Sequence, residues 1–229
     1  MAVASMALQA QNLQLHYDFG RDLYSNEENG RQKVTVTFEQ FKADDLGNFF
    51  YFIDLDMLHN GMAGAYTEFS REFNIGKKGL ALHFEYDGGF CSFRGNNLSA
   101  KFQHSALVGL AWNFASADFS KTFSIQALYN QKFKGESHRA YASAQLTGVW
   151  NVNFGDSKWD FNGFIDLWRS EKANNHGMLA IMSEPQIWYN FNSHASLGSE
   201  FEISYNFVSN FYNDKIFFVN PTLAFKWKF

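Results

Sequence analysis

The chain has 229 residues, including 27 Phe, 10 Tyr and 6 Trp, and a formal net charge of −4. A hydrophobic content of 46% excludes intrinsic disorder, a single cysteine excludes an internal disulfide framework, and the lack of any apolar run near ~18 residues excludes a transmembrane helix. The negative balance also points away from nucleic acid, whose binders carry basic patches.

Taken in chain order, residues 1–10 form a small, apolar stretch with no Lys or Arg before Arg21, and read as a signal-peptide remnant. Residues 11–229 read as one domain. Apolar and polar residues alternate with period two near 13–19, 33–41, 48–57, 65–73, 80–88, 104–114, 119–129, 140–154, 159–168, 181–191, 197–207 and 217–229. That predicts about 12 antiparallel strands, with ten as the second choice. The connections alternate between short turns such as Ala43–Gly47, Ala115–Asp118 and Gly155–Lys158 and longer polar loops such as Gly20–Arg31 and Gly89–Gln103. Short and long connections in alternation are the mark of an up-and-down transmembrane β-barrel, so the fold class is all-β and the expected place is the outer membrane of a Gram-negative bacterium.

Facing follows from the pleat. Leu13, Leu15 and Tyr17 share one face with Phe49, Tyr51 and Ile53, and with Leu82, Phe84 and Tyr86. The opposite face holds His16, Asp18, Thr35, Thr37, Glu39, Asp54, His83, Glu85, Glu200 and Glu202. Aromatic side chains on this scale would overfill a closed soluble barrel, which assigns them to lipid and the polar set to the lumen. The last strand, Thr222–Phe229, places Leu223, Phe225, Trp227 and Phe229 on one face and is similar to the C-terminal signal strand read by the barrel-insertion machinery. That makes outer-membrane lipid and this machinery the first expected partners.

Gly47-Asn-Phe-Phe-Tyr-Phe-Ile-Asp54, followed by Ala65-Tyr-Thr-Glu-Phe-Ser-Arg71, resembles the Tsx-like nucleoside-specific channel-forming porins. The resemblance implies a twelve-stranded barrel with a narrow lumen and a nucleoside-like solute.

Strands one, three, four and five place His16, Asp18, Phe50, Phe52, Asp54, Tyr66, Glu68, His83 and Glu85 toward the lumen. Flat rings beside hydroxyl-binding carboxylates suit a nucleoside or sugar, and form the expected substrate-binding wall. Lys33, Lys226, Lys228 and Arg71 are the expected counter-charges, although strict alternation aims Arg71 at lipid unless a bulge or a position at the periplasmic rim accommodates it. The same residues would also serve as a structural network filling a plugged lumen, to which inward Phe164, Trp168 and Trp188 would contribute.

His16-x-Asp18 and His83-x-Glu85 each put two ligand types on one face, a pattern that lumen histidines satisfied by carboxylates also produce, and no metal or other cofactor is expected. Ser137-His138 and Ser193-His194 fall in a loop and a turn with no carboxylate placed to orient the imidazole, so no catalytic residues are expected and the chain is read as a non-enzyme. The expectation is passive, selective diffusion of small polar solutes, nucleosides first. The rival is a closed structural or accessory barrel that docks an envelope protein.

Overall fold

The computed structural model describes residues 9–25, 28, 31–76, 78–93, 98–101, 103–135, 139–171, 177–207 and 217–229, with side chains described from residue 11 onward and not for 91–102. The strands are β1 (Gln9–Asp18), β2 (Val34–Asp44), β3 (Gly47–Leu58), β4 (Gly61–Asn74), β5 (Leu80–Phe93), β6 (Leu98–Lys101) and β7 (Ser105–Ala115). They continue as β8 (Lys121–Lys132), β9 (Tyr141–Phe154), β10 (Trp159–Glu171), β11 (Gly177–Ser183), β12 (Gln186–Asn190), β13 (Ala195–Tyr205) and β14 (Phe217–Lys228), with one short helix, α1 (Gly20–Leu23). All pairing is antiparallel: strands pair in chain order except that β7 pairs β5, with the short β6 paired to β5 off the ring, and that β11 and β12 both lie between β10 and β13, and β14 closes on β1.

Segments β11 and β12 are one stave. Ser183 faces Ile165 and Gln186 faces Asn162, so the register to β10 runs through the gap unchanged. The gap is Glu184-Pro185, where the proline has no N–H to give the ladder. Counted this way the barrel has twelve staves, as the alternation predicts.

Exposure decides which face is which. Leu15, Trp112 and Ile125 are 51%, 54% and 54% exposed, whereas Gln14, Ser105 and Asn130, inward residues of the same three strands, are 1%, 0% and 0% exposed. A closed barrel whose outer wall is apolar and aromatic and whose interior is polar satisfies every strand N–H and C=O in the ladder while presenting hydrocarbon to lipid. The protein is a transmembrane β-barrel of the outer-membrane type.

One rim carries the short turns. Asp44 Oδ1 accepts from the N–H groups of Leu46 and Gly47, and Asn192 Oδ1 from those of His194 and Ala195. At this rim Arg71 projects outward between Phe49 and Phe84, donates to Asp44 at 2.8 Å and lies 5.0 Å from the Phe73 ring centroid. Of the two accommodations, the rim position is the one found, and Arg71 therefore brings no charge to the lumen. Lys33 is also outside it, paired with Asp22 at 2.5 Å and lying over the outward Tyr17 ring. The Asp22 carboxylate raises the Lys33 pKa.

The opposite rim carries the long connections. The first of them folds inward: Gly20 donates to Asp18, and Tyr24 meets Phe218 edge-on with centroids 5.3 Å apart. A Cβ on Gly20 would sit 2.5 Å from Asn220 Oδ1 and 2.8 Å from Glu28 Oε2, so glycine is what lets the chain approach the wall there. Residues 1–8, which hold most of the expected signal remnant, lie outside the described residues.

Candidate functional site in the barrel lumen

Antiparallel register carries inward residues from stave to stave. Asn12, Glu39, Phe52, Glu68, Asp87, Ser105 and Lys132 form one row across seven strands. A second row joins Gln14, Thr37, Asp54 and Tyr66, and a third joins Phe50, Ser70, Glu85 and Leu107. All nine predicted wall residues stand on the lumen side, each in its own setting.

The floor, nearest the turn rim, is neutralised pair by pair. His83, 2% exposed, bonds Glu72 at 3.1 Å through Nδ1 and Glu85 at 3.0 Å through Nε2. Glu72 also accepts from Asn48 at 2.7 Å and from Asn113 at 2.6 Å. Lys228 donates to Asp160 at 2.9 Å and to Asn190 at 3.0 Å. Higher on the wall, Lys226 lies 3.9 Å from the ring centroid of the fully buried Trp188, whose edge meets His16 with centroids 6.0 Å apart. His16 itself contacts Gln14 at 2.9 Å and Thr222 at 3.1 Å.

The mouth is neutralised as well. Arg31, from the inward-folded connection, donates to Asp18 at 2.7 and 2.9 Å and to Glu202 at 2.7 and 3.0 Å, with Glu28 at 3.9 Å. Burial works against the guanidinium charge, but Glu202 and Asp18 outweigh it and hold the Arg31 proton more tightly than usual. Glu28 is pushed up by its burial, with Arg31 and Asn220 opposing. Because Asp18 is committed to Arg31 and His16 to Gln14 and Thr222, the two do not act together as ligands.

Between mouth and floor the balance fails. Asp54 accepts from Thr37 at 2.5 Å, Glu68 from Tyr66 at 2.9 Å, Asp87 from Ser105 at 2.8 Å, Glu200 from Gln186 at 2.5 Å and Asp166 from Thr147. None of these donors is charged. Glu184, at the Pro185 break, is within electrostatic reach of Glu200, Glu202, Asp54 and Glu68, so the carboxylates form a girdle around the lumen. Lys132 faces Asp87, Glu68, Glu85 and Asp166 and donates to Ser105 at 3.1 Å. On the other side of the girdle Lys226 reaches Glu200. Carboxylate oxygens of Glu68, Glu85 and Asp87 converge within 4.8 Å of one another, the one such grouping among the described residues.

On the same wall the rings of Phe50 and Phe52 have centroids 6.1 Å apart, and those of Phe52 and Tyr66 6.0 Å, giving an aromatic strip beside Glu68 and Asp54. The lumen therefore offers flat apolar surface next to an excess of hydrogen-bond acceptors and negative charge. Arg31, Lys132, Glu184 and Asp166 are lumen residues outside the predicted set. Lys132 was reachable by extending the alternation of strand eight by three residues, and Asp166 by the parity of Phe164 and Trp168. Arg31 belongs to a connection with no period to read.

Turn residue His194 contacts the Lys228 carbonyl oxygen at 2.8 Å through Nδ1 and stacks on Trp227 with centroids 5.4 Å apart. The other Ser-His pair, Ser137-His138, lies outside the described residues.

Comparison with known proteins agrees with this geometry at the level of fold. Residues 10–229 match the family described as "Domain of unknown function (DUF5020)", and the chain belongs to that family. No curated protein matches it. Among solved structures it is similar to the NanC porin, with 12% identity, a TM-score of 0.59 and coverage of 96% of this chain and 99% of that one. It is also similar to LpxR from Salmonella typhimurium, with 9% identity, a TM-score of 0.50 and coverage of 96% and 100%. At this identity the likenesses show the barrel fold and do not single out Tsx-like porins.

Proposed function

We propose that this family member is a non-catalytic channel for passive, selective diffusion of small polar solutes that are neutral or cationic, nucleosides among them. The observation that carries the reading is the girdle. Asp54, Glu68, Asp166, Glu184 and Glu200 are half-buried and outnumber the two lysines, Lys132 and Lys226, that reach the girdle, and negative charge in excess of its partners is costly away from water, so they call for water or a passing cation. A ring of acidic side chains in a low-dielectric tube concentrates cations and repels anions. The strip of Phe50, Phe52 and Tyr66 adds a surface on which a base or sugar ring can slide, with Glu68 and Asp54 accepting from hydroxyl groups. Twelve staves fall between barrels filled by side chains and open porins, which suits single-file selectivity.

The test is uptake into liposomes holding the refolded protein, with uridine compared against uridine monophosphate. The two differ by one phosphate, so the girdle should admit the first and exclude the second. Equal entry of both removes electrostatic selection.

A second reading, the closed accessory barrel with an envelope partner, rests on the mouth cluster, where Arg31 bridges Asp18 of β1 and Glu202 of β13 across the intervening β14, and on Trp188 and Phe218, which are 0% and 1% exposed inside the barrel. Negligible entry of every solute would select it. Insertion is assigned to the standard machinery through β14 and Phe229. Deleting Phe229 should sharply lower the yield of heat-modifiable, folded barrel, and an unchanged yield would remove that assignment.

A further inference from the structure

Among the described residues the outer wall carries a cluster of small side chains on two adjacent strands. Along most of β1–β7 the outward positions are aromatic or large aliphatic residues, but on β8 and β9 they include Ala127, Ala142 and Ala144, all exposed. These small residues leave a groove of about 530 Å³, floored by Ala127 and Ala144 and walled by Tyr129, Leu146, Leu167 and Leu179. In a membrane protein this surface is covered by lipid.

The extracellular end of the groove is charged. Arg169 of β10 lines it, and its neighbour Ser170 pairs with Met178 while Arg169 itself pairs with Leu179. Its guanidinium is laid over Gly177, where any Cβ would collide with Nε. Arg169 reaches Glu171 at 3.5 Å, and Arg139 reaches the same Glu171 at 3.0 Å. The Glu171 side chain is 8% exposed, whereas the Arg139 and Arg169 side chains are 59% and 54% exposed. One buried acid thus holds two arginines side by side with their outer edges free, and the group keeps a net positive charge. Tyr129, level with Ala144, marks this height as the aromatic interface of the wall.

An apolar trough ending at two guanidinium groups held on one carboxylate at head-group height matches a lipid with a phosphate head group. We propose that this groove binds a phosphorylated lipid of the outer leaflet, one acyl chain lying over Ala127 and Ala144 and the phosphate held by Arg169 and Arg139. Glu171 and Gly177 are positioning residues that aim the guanidinium groups. This site stands apart from the lumen and holds whether or not the lumen conducts.

The experiment is native mass spectrometry of the detergent-purified, folded full chain titrated with lipid A carrying both phosphates and with the same lipid dephosphorylated. The expected result is one retained lipid per barrel, with a preference of roughly tenfold for the phosphorylated form. Arg139→Gln with Arg169→Gln should abolish that preference and leave weak, head-group-blind retention. Ala144→Trp should fill the trough and lose the adduct, with folding verified by heat-modifiable gel mobility. If Ala144→Trp does not fold, the double arginine variant carries the test alone. Equal retention of the two lipids by the wild type overturns the site, as does undiminished preference in the double variant. A protein copurifying in a fixed ratio in place of lipid would overturn it in favour of a docking face.

Discussion

At the floor of the lumen His83 lies between Glu72 and Glu85, and Lys228 between Asp160 and Asn190, so each charge has a partner within 3.1 Å. Four residues further along β4 and β5, Glu68 and Asp87 meet only hydroxyl donors and share Lys132 with Glu85 and Asp166. Both regions draw on the same residue types, displayed by the same pleat. The difference separates charge that holds the barrel together from charge left for something else to meet. A compensated pair resists removal of either member, while an uncompensated carboxylate is relieved by losing its charge.

The largest effect expected from breaking that contrast lies at the mouth. Arg31→Ala strands Asp18 and Glu202, and should cost about 3 kcal/mol of stability, read as a lower urea midpoint in detergent micelles. A midpoint equal to the wild type would show that the mouth carboxylates are already well solvated. His83→Leu at the floor comes next, leaving Glu72 and Glu85 without the ring that bridges them. It should cost about 2 kcal/mol in the same measurement, with a smaller change in solute selection than a girdle variant gives. Lys132→Met in the girdle should do the reverse, increasing preference for cations over anions several-fold with little loss of heat resistance. If Lys132→Met instead unfolds the barrel, the girdle is structural and the contrast fails.

The smallest effect is outside the membrane, in the turn between β7 and β8. Asp118 accepts from the Ser116 hydroxyl at 2.6 Å and from the Ser120 N–H at 3.1 Å, which lowers its pKa from 3.8 to about 2. A carboxyl with a depressed folded-state pKa contributes stability that is complete above about 3.8 and lost as pH falls through about 2. Asp118→Asn should therefore flatten the acid limb slightly between those values and leave neutral stability almost untouched. A steeper acid limb in the variant would reverse the sign.

Much of this architecture is written in the alternation. Because side chains in a strand point to opposite faces, residues such as Leu13 and Gln14 announce both their stave and their side, and the polar wall from His16 to Glu85 is read off directly. The alternation does not give counter-charges. Lys33 and Arg71 carry the right sign, yet a strand end and a rim position turn them to Asp22 and Asp44. Arg31 reaches the lumen from a connection whose inward fold depends on Gly20 packing against Asn220, a contact between residues 200 positions apart with no local signature. The alternation near 181–191 runs straight through Pro185, and both the break there and the survival of the register follow only from the pairing of Ser183 and Gln186 to β10. Charge balance in a barrel is a property of whole rows, and rows are assembled from strands far apart in the chain.

The central claim is that the girdle, and not the floor or the mouth, selects what enters. It is tested most directly by the reversal potential of the protein in a planar bilayer under a potassium chloride gradient, with the wild type set against the combined Asp54→Asn, Glu68→Gln and Glu200→Gln variant. A cation-selective wild type whose cation-to-anion permeability ratio falls roughly tenfold in a variant that still folds would support it. An identical reversal potential for both proteins, or no conductance in either, would contradict it.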